Sequence, residues 1–252
     1  MDEAIACYKK GIELDPKKAT VHNTLGALLC DMKRDYDGAI ACFRKAIELD
    51  AKYAWPHTNL GVALYGKGQL NEAIACHKKA IELDPKNANA HGNLGVALAG
   101  KGQVDEAIAS TKKGIELDPK DANARYNMAC FSALAAAGAR VNEPPLDDAA
   151  RAKLRGQALE SLKAALALYT KQLESDPARA QQMMRHWQKD TDLASIRDQA
   201  ALAKLPAEEQ KAFTQLWADV AALLKKANPG PPPGAKPAEK TPELAPAPRP
   251  AK

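Results

Sequence analysis

Asparagine stands at positions 59, 93 and 127, each 34 residues after the last, and Thr24 occupies the matching place one interval earlier. A primary amide both donates and accepts hydrogen bonds. A row of amides on one wall can therefore pair with the N–H and C=O groups of an extended peptide regardless of that peptide's side chains. Each such bond is worth about 1 kcal/mol net, so three or four need side-chain pockets to reach even ~micromolar affinity. Trp55, Thr58, Val62, Tyr65, Asn89, Val96, Asn123 and Tyr126 lie on the same stretches. Their rings and branched chains suit ligand anchors; the alternative is that they pack on the next unit, and that the amides bond locally.

Other columns repeat at the same interval and offer less chemistry. His22, His57 and His91 form one, and Cys7, Cys42 and Cys76 another. Equivalent atoms of adjacent helical units lie about 10 Å apart, whereas zinc ligands sit within about 2.1 Å of one ion. Both columns are expected to be packing residues, with no metal and no cofactor. The paired bases Lys9-Lys10, Arg44-Lys45, Lys78-Lys79 and Lys112-Lys113 are followed, three residues after the second base, by Glu13, Glu48, Glu82 and Glu116. That spacing permits ion pairs within a helix and predicts a solvated outer face. No aromatic platform for bases accompanies it, so no nucleic-acid partner is expected. No nucleophile, base and orienting group can be grouped, and there is no Gly-rich phosphate loop. The chain is expected not to be an enzyme.

The elements that must position these residues follow from a phrase of sixteen residues that occurs four times: DEAIACYKKGIELDPK from Asp2, DGAIACFRKAIELDAK from Asp37, NEAIACHKKAIELDPK from Asn71 and DEAIASTKKGIELDPK from Asp105. Successive copies start 35, 34 and 34 residues apart. A fixed period of this length marks a helical solenoid, whose units bury their apolar faces only by stacking. Within the third copy Ala73, Ile74, His77, Ala80 and Ile81 recur at helical spacing. The Asp or Asn that starts each phrase is expected to cap the helix, and Asp84-Pro85 to end it. Between phrases runs a second helix, with Leu25, Leu60, Leu94 and Met128 equivalent, followed by Gly26, Gly61, Gly95 and Ala129. These small residues are expected to face Ala39, Ala73 and Ala107. Gly68 and Gly102 suit left-handed C-terminal caps, and Arg34 is the inserted residue behind the single interval of 35.

On these residues the chain resembles the tetratricopeptide repeat (TPR) family: Leu60, Gly61, Ala73, Ala80 and Pro85 match its pattern in one repeat, and Leu94, Gly95, Ala107 and Pro119 in the next. Histidine at the usual Trp position and Ala51 at one Pro position depart from it. The resemblance covers about residues 1–135. It implies an all-α solenoid, a right-handed superhelix of antiparallel helix pairs whose first helices line a concave groove. It also implies a non-catalytic module that binds a protein or an extended peptide there. The array is similar to the TPR superhelix of O-linked N-acetylglucosamine transferases, which carries an asparagine ladder, and that likeness implies the same use for Asn59, Asn93 and Asn127. Some TPR modules clamp a chaperone's C-terminal carboxylate with Lys and Arg; this groove has almost none, which argues against that partner.

The chain starts in mid-repeat, since Met1 falls where Tyr36, Leu70 and Val104 fall later. A fragment, a truncated form or a start inside a longer gene is expected, and the apolar edge near Ile5 and Tyr8 offers a route to self-association. Residues 1–176 form the array on this reading, with a half repeat at 1–18, repeats from 19, 54 and 88, and an extended one from 122 whose second helix starts near Gln157. Residues 177–227 form a helical cap: a helix opening at Pro177, a connector from Asp190, and a last helix after Pro206 with Phe213, Leu216, Trp217, Val220, Leu223 and Leu224 as its apolar stripe. Residues 228–252 are Pro-rich and expected to be disordered. The stretches LYTKQLESDPARA, RHWQKDTDLASIRD, LPAEEQ and LWADVAALL resemble the C-terminal region of bacterial serine/threonine protein kinases that carry TPR arrays. A severed regulatory end of such a kinase is therefore the second functional reading.

Composition fits these expectations. Hydrophobic residues make up 46% of 252 and aromatics 5%, and the net charge of +5 is mild. Five cysteines without a CxxC pair read as reduced thiols in a cytoplasmic protein, and no run is apolar enough for a membrane span.

Overall fold

The computed structural model describes residues 2–140 and 144–227, and every regular element among them is helical. Their contacts divide the chain between Pro119 and Lys120 into two compact units. The first holds α1 (Asp2–Leu14), α2 (Ala19–Lys33), α3 (Tyr36–Leu49), α4 (Ala54–Gly66), α5 (Leu70–Leu83), α6 (Ala88–Gly100) and α7 (Val104–Leu117). Each helix packs on the next, and in addition α2 touches α4 and α4 touches α6. The helix-pair solenoid expected from the period is thus present, with the first helices of the pairs side by side in one row.

The two helix types are apolar in different ways. The second helices bury a single stripe: Ala39, Ile40, Phe43 and Ala46 on α3, then Ala73, Ile74, His77 and Ala80 on α5. The first helices are covered from several sides. On α4 Ala54, Pro56, Thr58, Leu60, Gly61, Ala63 and Leu64 are all buried, as befits a helix flanked by neighbours in its own row and by its partner.

Three local expectations need correction. The cap of α3 is Asp35, two residues before the phrase starts, and its carboxylate accepts from Gly38 N at 2.9 Å. Gln69 and Gln103 hold the equivalent places, so Asp37, Asn71 and Asp105 lie inside the first turn. The second correction concerns the glycine column. A Cβ on Gly26 would fall 2.6 Å from the ring of Phe43, one on Gly61 would fall 2.4 Å from His77, and one on Gly95 would fall 2.1 Å from Thr111 Oγ1. The nearest partners are the residues one helical turn beyond Ala39, Ala73 and Ala107, while at Gly95 the expected Ala107 also closes in, its carbonyl oxygen 3.0 Å from the same Cβ. Those alanines are themselves fully buried. Third, the residue inserted in the 35-residue interval lengthens α2, and Arg34 then takes the left-handed cap (φ 51°) that Gly68 and Gly102 take elsewhere (φ 77° and 78°).

The second unit holds α8 (Ala122–Ala136), α9 (Asp148–Gln172), α10 (Pro177–Trp187), a 3-10 turn (Thr191–Leu193), α11 (Ala194–Arg197), α12 (Gln199–Leu202) and α13 (Ala207–Ala227). Helix α9 starts nine residues before Gln157, because Asp147 caps it by accepting from Ala150 N at 2.7 Å and the intervening Ala, Arg, Lys and Leu residues are good helix formers. Helices α10 and α13 run as expected, and Phe213, Leu216 and Val220 are buried. Arg155 on α9 grips Glu209 on α13 with both arms, at 2.5 and 3.0 Å. Trp187 is fully buried, stacked on Tyr126 with ring centres 5.3 Å apart, and edge-on to Tyr169. The Pro-rich stretch 228–252 lies outside the described residues.

Candidate functional site

The row of first helices presents one narrow stripe that neighbouring helices leave open. Positions i, i+4 and i+7 of each helix share a face. On α4 they are Trp55, Asn59 and Val62; on α6 they are Asn89, Asn93 and Val96; on α2 they are Thr20, Thr24 and Ala27. Trp55 is 46% exposed and Val62 36%, while Asn59 and Asn93 are half-buried between such neighbours. Asn89 is exposed. No charged side chain occupies any of these nine positions.

Asn59 is held in place from one side. Its Nδ2 donates to Asn23 Oδ1 on α2 at 3.0 Å, which leaves its own Oδ1 and a second N–H turned to other partners. Thr24 differs: its hydroxyl donates to Thr20 O, one turn back in the same helix, at 2.9 Å. Tyr65 leans on the next first helix, its ring edge 3.5 Å from where a Cβ on Gly100 would stand.

Thr58 and Tyr126, both expected to line the groove, do not. Thr58 is 2% exposed and its Oγ1 accepts from Asn87 Nδ2 at 3.2 Å. Tyr126 is 5% exposed, stacked on Trp187, and its hydroxyl donates to Asp190. The two occupy one repeat position, the residue just before the rung, and Asn23 shares it. A step of one residue turns a helical side chain by about 100°, here away from the stripe and into the neighbouring helix. The supporting roles of Asn23 and Asn87 are not evident from spacing alone; the available signal is their equivalence to Thr58 and to Asp121, the cap of α8. Asn87 also caps α6 by accepting from Ala90 N at 3.0 Å.

In the second unit Asn127 is half-buried on α8, and Asn123, exposed, accepts the Tyr169 hydroxyl at 2.5 Å. Burial pushes Tyr169 up to about 12, with Asp121 adding to it and Arg179 opposing. Tyr126 is pushed up as well, by burial first and then by Cys130 and Asp190. Neither phenol is acidic enough to act as a base or nucleophile near neutrality. Cys130, Asp190 and Asp192 bring ligand-type atoms within 4.8 Å of one another. The Asp190 carboxylate there accepts from Tyr126 and from Asp192 N, the latter at 3.0 Å, and stands 3.3 Å from His186 Nε2. Its partners tie the 3-10 turn to α8.

The remaining columns behave as packing and surface. His22 Nε2 meets Pro16 O at 3.0 Å and His91 Nε2 meets Pro85 O at 3.2 Å. At His57 the preceding loop has Ala51 in place of proline, and His57 Nε2 is buried with no partner among the described residues. Burial raises the thiols of Cys42 and Cys76, and pushes Cys30 up to about 11. A raised thiol pKa means little reactive thiolate. The second base of each pair bonds its glutamate: Lys10–Glu13 and Lys45–Glu48 at 2.7 Å, Lys79–Glu82 at 2.8 Å, Lys113–Glu116 at 3.2 Å. Exposed pairs of this kind contribute little stability.

Comparison with known proteins agrees with this architecture. A family model described as TPR repeat matches residues 1–32, 33–68 and 63–102, and one described as Tetratricopeptide repeat matches residues 88–121. Among solved structures, the crystal structure of MamA is similar at 26% identity and a TM-score of 0.53, covering 69% of this chain and 91% of that one. YrrB, a TPR protein with an unusual peptide-binding site, gives 19% identity and 0.50, covering 88% and 91%. TTC0263, a thermophilic TPR protein in Thermus thermophilus, gives 22% and 0.51, covering 70% and 84%. No curated protein matches. The chain therefore carries tetratricopeptide repeats over residues 1–121. Among the described residues no helix is long and apolar enough to cross a membrane.

Proposed function

We propose that this repeat array is a non-catalytic interaction module that holds an extended peptide along α2, α4 and α6, with Asn59 and Asn93 gripping its backbone. One observation carries the reading. Two half-exposed amides occupy the same position on adjacent first helices, and the first of them is flanked by exposed Trp55 and Val62. Amide rungs bond any backbone in reach, and apolar flanks add the desolvation that hydrogen bonds alone do not supply. The shared fold is compatible with this use: YrrB, which has it, is a TPR protein with an unusual peptide-binding site. Asn127, with Asn123 on the same helix, extends the ladder in sequence, and Tyr65 on α4 offers a secondary contact. We read the partner as protein, with neither nucleic acid nor membrane involved, and the setting as cytoplasmic, where exposed Cys7 stays a thiol. Self-association through α1 is a separate question that sedimentation at several concentrations decides. The reading as the regulatory end of a kinase draws no support from the comparisons, whose family models stop at residue 121.

The test is a titration. The double variant Asn59→Ala/Asn93→Ala removes two bonds of about 1 kcal/mol each, so a groove-bound peptide is expected to bind it about thirtyfold more weakly. Circular dichroism should be unchanged, since both side chains border the open stripe and Asn59 gives up only its bond to Asn23. Equal affinity for the two proteins would refute the groove.

A further inference from the structure

Resting on that reading, we infer that the peptide class this groove selects is uncharged, with two adjacent apolar residues, one of which keeps its backbone N–H. Three observations converge. The described residues leave four large apolar side chains exposed, Leu14, Met32, Trp55 and Val62. Two of these lie on α4, seven residues apart, one on either side of Asn59. An extended strand directs successive side chains to opposite faces, so adjacent apolar residues of a ligand reach Trp55 and Val62 together.

The second observation is the missing charge. Trp55, Asn59 and Val62 on α4 and Asn89, Asn93 and Val96 on α6 carry no ionisable group. A ligand carboxylate or ammonium seated there would give up hydration without meeting a counter-charge, which is costly. Over α4 and α6 the stripe therefore discriminates against charge by offering nothing to pair with it, one of the ordinary routes to specificity, whereas the same face of α2 ends at exposed Asp31.

The third is the tether on Asn59. Its Nδ2 already donates one hydrogen to Asn23, so its Oδ1 takes a ligand donor while its second N–H remains for a ligand carbonyl. A backbone N–H supplies that donor and a proline does not. Proline is thus excluded at the residue whose N–H meets that oxygen, and is accommodated at the adjacent residue, where its ring can stack on Trp55.

The experiment is panning of a random 12-residue peptide library on the full-length chain, with enriched peptides synthesised and titrated by fluorescence anisotropy. Enriched sequences are expected to lack Asp, Glu, Lys and Arg in the contacted core. Their affinity should change less than twofold between low and high salt, and should fall at least tenfold with Trp55→Ala, whose helicity is checked by circular dichroism alongside. Peptides that need a charged residue, yet still weaken on Asn59→Ala/Asn93→Ala, would overturn this inference and leave the groove standing. Peptides indifferent to the asparagine variant, or no enrichment at all, would remove the groove and the inference with it.

Discussion

His77→Phe is expected to stabilise the first unit, and to do so most strongly in acid. His77 lies against Gly61 with 1% of its surface exposed, and its Nδ1 has no hydrogen-bond partner among the described residues. Burial holds its pKa down at about 4 against the usual 6.5. The sign follows from linkage. The unfolded chain takes up a proton near pH 6.5, which the folded chain refuses until about pH 4, so stability is complete above pH 6.5 and is lost as pH falls through this window. A depression of this size amounts to about 3 kcal/mol once pH 4 is reached. His57, also lowered by burial and then by Lys79, adds a smaller loss of the same sign. Phenylalanine has a precedent in the chain itself, since Phe43 fills the same repeat position against Gly26. At pH 8 the variant should gain about 1–2 kcal/mol from removing an unpaired buried nitrogen; at pH 4 the gain should reach about 4 kcal/mol once the linkage contribution is added. Urea unfolding at both pH values measures it. A variant as acid-sensitive as the parent would show that His77 is not neutral in the fold.

The second large effect concerns the other unit. Trp187→Ala is expected to cost about 4 kcal/mol, the usual range for emptying a buried aromatic site. Trp187 is sandwiched by contacts to Tyr126 and Tyr169, and its carbonyl accepts from Arg197 at 3.3 Å. Its Nε1 is buried with no partner among the described residues. Trp187→Phe should therefore cost far less, below about 2 kcal/mol, because it keeps the stacking and removes an unpaired donor. The two variants separate packing from polarity, and calorimetry of both decides. If Trp187→Ala loses less than about 1 kcal/mol, well under the usual cost of such a cavity, the core assigned to residues 120–227 is wrong.

The period carries most of the architecture because it reports directly on stacking. Helix pairs, the left-handed caps at Gly68 and Gly102, and the close approach at Gly26, Gly61 and Gly95 are all consequences of one unit repeated. What the period leaves open is azimuth. Thr58 and Asn59 are neighbours in sequence and both polar, yet one is sealed against the next helix and the other borders the open stripe. Hydropathy does not distinguish them, and only the contact of α4 with α2 and α6 does. The cap of α3 escapes the sequence pattern for a related reason. Asp35 and Asp37 are equally good capping residues, and the choice rests on where backbone torsions leave the helical region. The start of α9 lies beyond periodicity altogether, since the residues after Asp147 are helix formers with little apolar pattern. Trp187 over Tyr126 joins residues about sixty apart in sequence, which no repeat relates.

The proposed recognition rests on the side-chain amides of two asparagines meeting a ligand, and their NMR signals would report that contact. The side-chain NH2 resonances of Asn59 and Asn93, assigned through single Asn→Gln variants of the full chain, should shift and gain protection from solvent exchange as a panned peptide is added. Those of Asn23 and Asn87, which face neighbouring helices, should move less. Saturation of the peptide with the Asn59 and Asn93 signals unmoved would contradict the proposed groove.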